Sequence, residues 1–323
     1  MTQLDIVVRG AGVAGLVTAT ELADRGARVT VLETGPDIGS GASWKAGGML
    51  APWCEAESAP DEVTADSLGS VDWWAAHVPS VQRNGSLVVA PPRDVGDISR
   101  FGRRTQAFET LAEEAIGTLE PDLLGRFSKA LFFPREGHVD PREALRTLRA
   151  GIEARGGSVL TGVPRAEAER ASGVDWTIDC TGLAARSHLT ELRGVRGEML
   201  LLRCPDVILH RPVRMLHPRI PIYIVPRADH VFMVGATMVE SENAGGMTLR
   251  SMTDLLNAAY VLHPAFADAE ILETGVGLRP SFRDNVPRVR QDGRTIMVNG
   301  MYRHGFLLSP ARARTVAELV FGG

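Results

Sequence analysis

The chain has 323 residues, of which 44% are hydrophobic and 23% charged, a composition typical of a globular protein with one large or two interlocked domains. Its formal charge of -4 gives no electrostatic reason to expect nucleic acid or an anionic membrane surface as a partner. No apolar run approaches the roughly 18 residues of a membrane span. The three cysteines are widely spaced and suggest neither a disulfide framework nor a metal site. We therefore expect a cytoplasmic protein without a signal peptide, and a homo-oligomer is compatible with the sequence.

Residues 4–33 read LDIVVRGAGVAGLVTATELADRGARVTVLE, which predicts a strand, a glycine turn, a helix and a second strand. In this dinucleotide-binding pattern Gly10 permits the tight turn, Gly12 lets the backbone approach a pyrophosphate, and Gly15 lets helix and strand pack closely. Glu33 follows the glycines by about 20 positions, where an acid binds the ribose hydroxyls and disfavours a 2'-phosphate. The pattern predicts a nucleotide cofactor other than NADP.

The following segments favour a flavin over a nicotinamide cofactor. No further βαβ unit follows the second strand directly, and residues 35–53 instead form a loop of glycine and small residues that suits a flat ligand. Residues 177–182 and 295–311 each read as a short apolar strand that runs into glycine. Strands that return late to a nucleotide fold imply a discontinuous cofactor domain.

Six motifs together resemble the D-amino-acid oxidase superfamily of flavoproteins, and within it the glycine oxidases. They are GAGVAG with its distal glutamate, GASWKAGGML, IYIVPR, VGATMVES, GLRPSFRDNVP and MYRHGFLLSP. The resemblance runs in order along nearly the whole chain and is poor only between about residues 55 and 130. It implies FAD as the cofactor.

The resemblance and the glycine pattern together predict the cofactor contacts. These are Gly10, Gly12, Val13, Ala14 and Gly15 in the turn, Glu33 and Thr34 at the ribose, Ala42, Ser43, Gly47, Gly48 and Met49 in the loop, Gly182, and Met301, Tyr302, Arg303, His304, Gly305, Phe306 and Leu307 around the flavin ring. A backbone contact near residues 163–165 is also expected.

The fold class that follows is α/β plus α+β: a Rossmann-like FAD-binding domain, discontinuous in sequence, with an inserted antiparallel-sheet substrate domain. We predict the FAD-binding domain over 1–80, 137–190 and 276–323, and the substrate domain over 81–136 and 191–275. A helix should begin at Asp140, an N-cap followed by proline. The acidic segment 54–67 is expected to be a solvated loop, or otherwise a lid.

Arg279 stands between Gly-Leu and a proline, a stiff setting of little use to a solvated guanidinium. Such a setting suits a guanidinium that makes two parallel hydrogen bonds to a carboxylate. The resemblance assigns substrate contact to Arg279, Tyr223 and Arg303, and we place Met49 beside them as an apolar wall. Two alternatives stay open: a domain-joining ion pair for Arg279 and a backbone-only role for Arg303.

Arg9, Trp44 and Lys45 depart from the family pattern, because an apolar residue or small residues usually stand at these places. No metal-ligand spacing, Ser-His-Asp set or paired carboxylate is visible, so we predict no metal and no catalytic side chain. The flavin would carry the chemistry.

The resemblance implies oxidative deamination of glycine or another small amino acid by hydride transfer to flavin. The imine formed would hydrolyse to glyoxylate and ammonia, with hydrogen peroxide if oxygen is the electron acceptor. The resemblance also implies a role in forming the thiazole of thiamine. The alternatives are a D-amino-acid or sarcosine oxidase, a dehydrogenase of the same superfamily, and a non-catalytic FAD-binding regulatory protein.

Overall fold

The computed structural model describes residues 3–170, 173–217 and 221–322. Its strands are β1 (Asp5–Arg9), β2 (Arg28–Leu32), β3 (Met49–Leu50), β4 (Ser86–Val89), β5 (Glu109–Ala112), β6 (Lys129–Phe133), β7 (Gly137–His138), β8 (Ser158–Leu160), β9 (Trp176–Asp179), β10 (Arg193–Arg203), β11 (Val213–Met215), β12 (Ile222–Pro226), β13 (Val231–Gly235), β14 (Glu270–Ser281), β15 (Arg288–Asp292) and β16 (Thr295–Asn299). Its α-helices are α1 (Val13–Asp24), α2 (Pro52–Ala56), α3 (Asp61–Ser67), α4 (Ser70–His77), α5 (Gly96–Gly102), α6 (Glu113–Leu119), α7 (Pro141–Ala154), α8 (Arg165–Arg170), α9 (Leu249–Leu262) and α10 (Gly305–Phe321).

A six-stranded sheet in the order β15-β16-β9-β1-β2-β8 carries the predicted βαβ unit. Its strands are parallel except β15, which pairs antiparallel with β16 at the edge. The predicted late strands join it as β9 and β16. Because the carboxyl ends of parallel strands meet at one edge, the glycine turn after β1 lies beside the residues that follow β9 and β16.

An eight-stranded sheet in the order β14-β10-β13-β12-β11-β4-β6-β5 forms the second layer. Its pairs are antiparallel, as predicted, except β4 with β11. Strand β14 pairs with β10 along nearly its whole length, from Arg193 opposite Ser281 to Arg203 opposite Glu270. The predicted boundary at 275/276 therefore falls inside a continuous strand, and the division into two domains stays a prediction.

Helix α7 begins as the sequence predicts. The Asp140 side chain accepts hydrogen bonds from the backbone N–H groups of Arg142, at 2.7 Å, and Glu143, at 3.3 Å, and Pro141 is the first helical residue. Its apolar face, including Leu145 and Leu148, packs into the core beneath the six-stranded sheet. This packing also holds the residues that precede the helix in place at the edge of the site.

The prediction of a solvated loop over 54–67 is wrong. The segment folds into α2 and α3, and Cys54 and Val63 are buried. The backbone N–H of Cys54 donates to the Glu136 carboxylate at 2.8 Å, and the Ser86 hydroxyl donates to the same carboxylate. A buried acid thus holds α2 on the body of the protein.

Within residues 3–170, 173–217 and 221–322, no helix combines the length and the apolar character needed to span a bilayer. Over the same residues no group of three or more His, Cys, Asp or Glu side chains is placed to hold a metal ion. Cys54, Cys180 and Cys204 are buried and unbridged.

Burial raises the pKa of Glu136 from its usual 4.5 to about 7, against the opposing effects of the Ser86 and Cys54 hydrogen bonds and the Arg214 charge. Between these pH values the folded protein binds a proton that the unfolded chain releases, so this carboxyl makes folding less favourable as pH rises. We expect the free energy of unfolding of wild type, relative to Glu136→Gln, to fall by up to about 3 kcal/mol from pH 4.5 to 7.

Urea denaturation of both proteins across this range measures the difference. His138, whose pKa burial lowers to about 3, titrates in both proteins and cancels. A difference that does not change with pH would contradict the buried, titrating carboxyl.

Candidate cofactor and substrate site

One continuous cavity of about 960 Å³ reaches from the glycine turn after β1 to strands β12 and β14 of the second sheet. This volume lies at the upper end of the roughly 300–1,000 Å³ typical of ligand pockets, more than a small amino acid requires. The predicted site residues on its wall are Gly10, Gly12, Val13, Ala14, Glu33, Thr34, Ala42, Ser43, Gly47, Gly48, Met49, Gly182, Tyr223, Arg279, Met301, Tyr302, Arg303, His304, Gly305, Phe306 and Leu307.

Gly15 is the exception, and its contact with the cofactor stays a prediction. It lies off the cavity wall, and a Cβ there would stand 1.8 Å from the Gly10 carbonyl oxygen, so it serves the packing of α1 against the turn. Gly12 differs, because its φ is -77° and an added Cβ would meet only the Ser43 hydroxyl, at 3.2 Å. Its bare backbone faces the cavity at the N-terminus of α1, where a pyrophosphate fits.

Glu33 closes the turn from the end of β2. Its carboxylate accepts the backbone N–H of Ala11 and that of Gly35, each at 2.7 Å. Because each carboxylate oxygen can accept a second hydrogen bond, Glu33 can also bind ribose hydroxyls in the cavity. Of the segment 163–165, Arg165 lies on the wall.

Arg9 lies on the same wall, near the end of α8. Its guanidinium donates to the backbone carbonyl of Glu169 at 2.9 Å. The residue therefore ties β1 to α8, which explains a polar side chain at a place where the family pattern has an apolar one.

Trp44 and Lys45 anchor the loop between β2 and β3 from opposite sides. The guanidinium groups of Arg142 and Arg146 lie 5.2 and 5.0 Å from the Trp44 ring centroid. The Lys45 ammonium donates to the Val276 carbonyl at 2.5 Å. Both bulky residues thus attach the loop, to α7 and to β14 respectively.

Arg227, in the IYIVPR motif, fastens the same loop from β12. It donates to the backbone carbonyls of Gly47, at 2.6 Å, and Val139, at 3.1 Å, and its Nε lies 3.4 Å from the Asp140 carboxylate. Burial lowers its pKa to about 10, so it remains a cation at neutral pH. A Cβ on Gly47 would stand 2.7 Å from the Tyr223 ring, so the loop lies directly on that tyrosine.

Arg279 projects from β14 into the cavity without an acidic partner. Its Nη1 donates to the Thr237 carbonyl at 3.1 Å, and no described carboxylate lies within ion-pair distance. The guanidinium lies over Gly197 of the neighbouring strand, where a Cβ would stand 2.2 Å away. Burial lowers the pKa of Arg279, although the group stays charged. The alternative of a domain-joining ion pair has no support among the described residues.

A buried polar network holds the segment that contacts Arg279. The Thr237 hydroxyl donates to Glu198 Oε2 and accepts the Glu198 backbone N–H, each at 2.9 Å. Glu198 is paired with Arg196 at 2.7 Å, and both side chains are almost fully buried. Thr237 therefore has a fixed place, and so has its carbonyl oxygen.

Tyr223 lies on the wall with Arg279. Its hydroxyl makes no hydrogen bond to another described residue, and burial raises its pKa, so it stays a neutral donor. Tyr302 also lies on the wall, and its hydroxyl donates to the Met238 sulfur at 3.3 Å.

Arg303 is engaged by Glu55, a residue that the sequence analysis missed. Arg303 Nη2 lies 2.8 Å from Glu55 Oε2, Arg214 Nη2 lies 2.6 Å from Glu55 Oε1, and His304 Nε2 lies 2.9 Å from Glu55 Oε2. The Arg303 side chain is thus held by an acid of the wall, and its substrate contact stays a prediction beside the backbone-only alternative. Arg214 could have been noticed as a charge between the buried residues of β11, whereas Glu55 is one of several acids in its segment.

The chain matches the FAD dependent oxidoreductase family over residues 5–319. It is 55% identical over 315 residues to a Rhizobium etli protein named thiamine biosynthesis oxidoreductase ThiO. That alignment covers 97% of this chain and 95% of the Rhizobium protein. It is 28% identical over 357 residues to a glycine oxidase of Pseudomonas aeruginosa, covering 98% of this chain and 94% of that protein. The crystal structure of glycine oxidase from Geobacillus kaustophilus superposes with a TM-score of 0.79 at 23% identity, covering 99% and 95% of the two chains, and shows likeness of fold.

Gly12→Ala should fold and bind FAD poorly, because the added methyl group stands at the proposed pyrophosphate position and meets the protein only at the Ser43 hydroxyl, at 3.2 Å, which a small shift of that side chain relieves. We expect the apo-protein to keep its melting temperature while the Kd for FAD rises by at least about tenfold. Flavin titration and thermal unfolding of the apo-protein measure the two quantities. Gly96→Ala is the matched control, since nothing lies within 4 Å of its added Cβ. Unchanged FAD affinity in Gly12→Ala would place the pyrophosphate elsewhere.

Proposed function

Because the chain belongs to the family of FAD-dependent oxidoreductases, we propose that it oxidises a small amino acid, with glycine as the favoured substrate, in the cavity between its two sheets. The family match also confirms the predicted superfamily, and the likeness to solved structures confirms the predicted fold class. The glycine turn, Glu33, the loop from Ala42 to Met49 and the tail from Met301 to Leu307 would hold the FAD.

The guanidinium of Arg279, which has no acidic partner, carries the proposal. It is half-buried on the cavity wall, and no described side chain supplies a compensating charge within ion-pair distance. A ligand carboxylate can supply it, and the free hydroxyl of Tyr223 can donate a further hydrogen bond to the same group. We therefore assign the α-carboxylate of the substrate to these two residues, with Met49 as an apolar neighbour.

The chemistry that FAD would supply here is acceptance of a hydride from the α-carbon of an amino acid whose amine is neutral. Arg279 and Tyr223 would fix the carboxylate and so orient the α-carbon for that transfer. Loss of the hydride and of one amine proton leaves an imine, which water converts to an oxo acid and ammonia. With glycine the oxo acid is glyoxylate, and with oxygen as the electron acceptor hydrogen peroxide is formed as well.

The names of two relatives favour glycine and a biosynthetic setting. One is a glycine oxidase at 28% identity, and the other, at 55%, is an oxidoreductase of thiamine biosynthesis. We propose that the imine formed here serves thiazole formation for thiamine.

Glycine should reduce the flavin of the holoenzyme under anaerobic conditions, and methylamine, which lacks the carboxylate, should be slower by about 30-fold to several thousand-fold. Stopped-flow absorbance of the flavin measures both rates. Equal rates would contradict the binding of the substrate carboxylate by Arg279 and Tyr223. Faster reduction by sarcosine, D-alanine or D-proline would overturn glycine as the favoured substrate, and no reduction by any of them would favour a non-catalytic FAD protein.

A further inference from the structure

Glu55 lies between two arginines and a histidine on the wall of the cavity. Its two oxygens are shared by Arg214, Arg303 and His304, at 2.6, 2.8 and 2.9 Å. Its side chain is 12% exposed, so water does little to screen these contacts. Arg279 lies on the wall of the same cavity.

The backbone of α2 holds the Glu55 carboxylate in place. Arg214 Nη1 donates to the Cys54 carbonyl at 3.0 Å, and the Cys54 N–H is bound to Glu136. Arg303 Nη2 also donates to the Ser58 hydroxyl at 2.8 Å, one turn further along. Glu55 is therefore a fixed part of the cavity wall.

Burial alone would raise the pKa of Glu55, but Arg303, Arg214 and His304 outweigh it and hold the pKa well below its usual range. The group is an anion throughout the neutral range. Glu55 balances one of the two arginine charges that it contacts. Removal of the glutamate would leave both arginine charges unbalanced, and the cluster would then attract anions.

We infer that Glu55 occupies, with its own carboxylate, a second carboxylate site beside the substrate position, and so excludes substrates that carry a second acidic group. The inference rests on the proposed function, in which Arg279 binds the α-carboxylate. An amino or imino dicarboxylic acid would bring its second carboxylate towards Arg214 and Arg303, where Glu55 already accepts their hydrogen bonds and repels a like charge. A substrate with one carboxylate meets no such conflict.

Glu55→Ala should open this second site. Two guanidinium groups would then face the cavity without an acid, and their forked donors suit a free carboxylate. Oxidised holoenzyme is titrated with acetate and with malonate, succinate and glutarate at constant ionic strength, and the flavin absorbance change gives each Kd. We expect the Kd ratio of acetate to the tightest dicarboxylate to rise by at least about tenfold over wild type.

Two further variants give the test its controls. Glu55→Asp keeps the anion and should keep a ratio close to that of wild type. Glu55→Ala combined with Arg214→Met should lose most of the gain, because one of the two guanidinium groups is gone. If Glu55→Ala fails to retain FAD, Glu55→Gln replaces it, and its ratio should still rise over wild type by a smaller factor.

A ratio in Glu55→Ala, or in Glu55→Gln, no higher than in Glu55→Asp would overturn the inference. Failure of the proposed function has a different signature. In that case acetate does not perturb the wild-type flavin and glycine does not reduce it, whatever the dicarboxylates do in the Glu55 variants.

Discussion

The proposed substrate half of the site depends on a guanidinium that has no acid of its own. The pairing of β14 with β10 places Arg279 opposite Val195, and Gly197 leaves room for the side chain to turn into the cavity. Thr237 offers a carbonyl oxygen, which orients the group without neutralising it. Because a half-buried cation is more stable when it is paired, this arrangement favours ligands that bring a carboxylate. The buried Glu198 network behind Thr237 keeps the orientation fixed.

The two halves of the cavity share one loop, so the proposed cofactor and substrate positions are structurally linked. Residues of this loop line the cavity, while Arg227 fastens it to β12 and Lys45 fastens it to β14. The loop also lies on the ring of Tyr223. A change that loosens the loop would therefore disturb both ligands, whereas a change at Arg279 acts on the substrate end alone. Loss of substrate binding without loss of FAD would therefore distinguish a role of Arg279 in substrate binding from a role in the stability of the fold.

Local signals in the sequence were enough to predict the fold around the proposed nucleotide site. The glycine turn, the glutamate after β2 and the start of α7 at Asp140 follow from residue types at fixed spacings, and the late strands join the sheet as predicted. The contacts of Glu55 could not be predicted in this way, because they join α2 to β11 and to the tail, 159 and 249 positions apart in sequence. The burial of Cys54, which makes α2 part of the wall, is equally invisible in an acidic segment. Continuity of β14 across the predicted boundary depends on its partner β10 and not on its own composition.

The most direct test of the account pairs a change in the protein with a matching change in the substrate. Wild type and Arg279→Lys, both loaded with FAD, are compared for kcat/KM with glycine and with glycinamide, which keeps the amine and the α-carbon but lacks the carboxylate. Lysine keeps the charge but cannot make the forked contact. If Arg279 binds the α-carboxylate, kcat/KM should fall by about 30-fold to several thousand-fold for glycine and by less than about threefold for glycinamide. Equal losses for the two substrates would contradict it, because Arg279 would then act on the fold or the cofactor and not on the carboxylate.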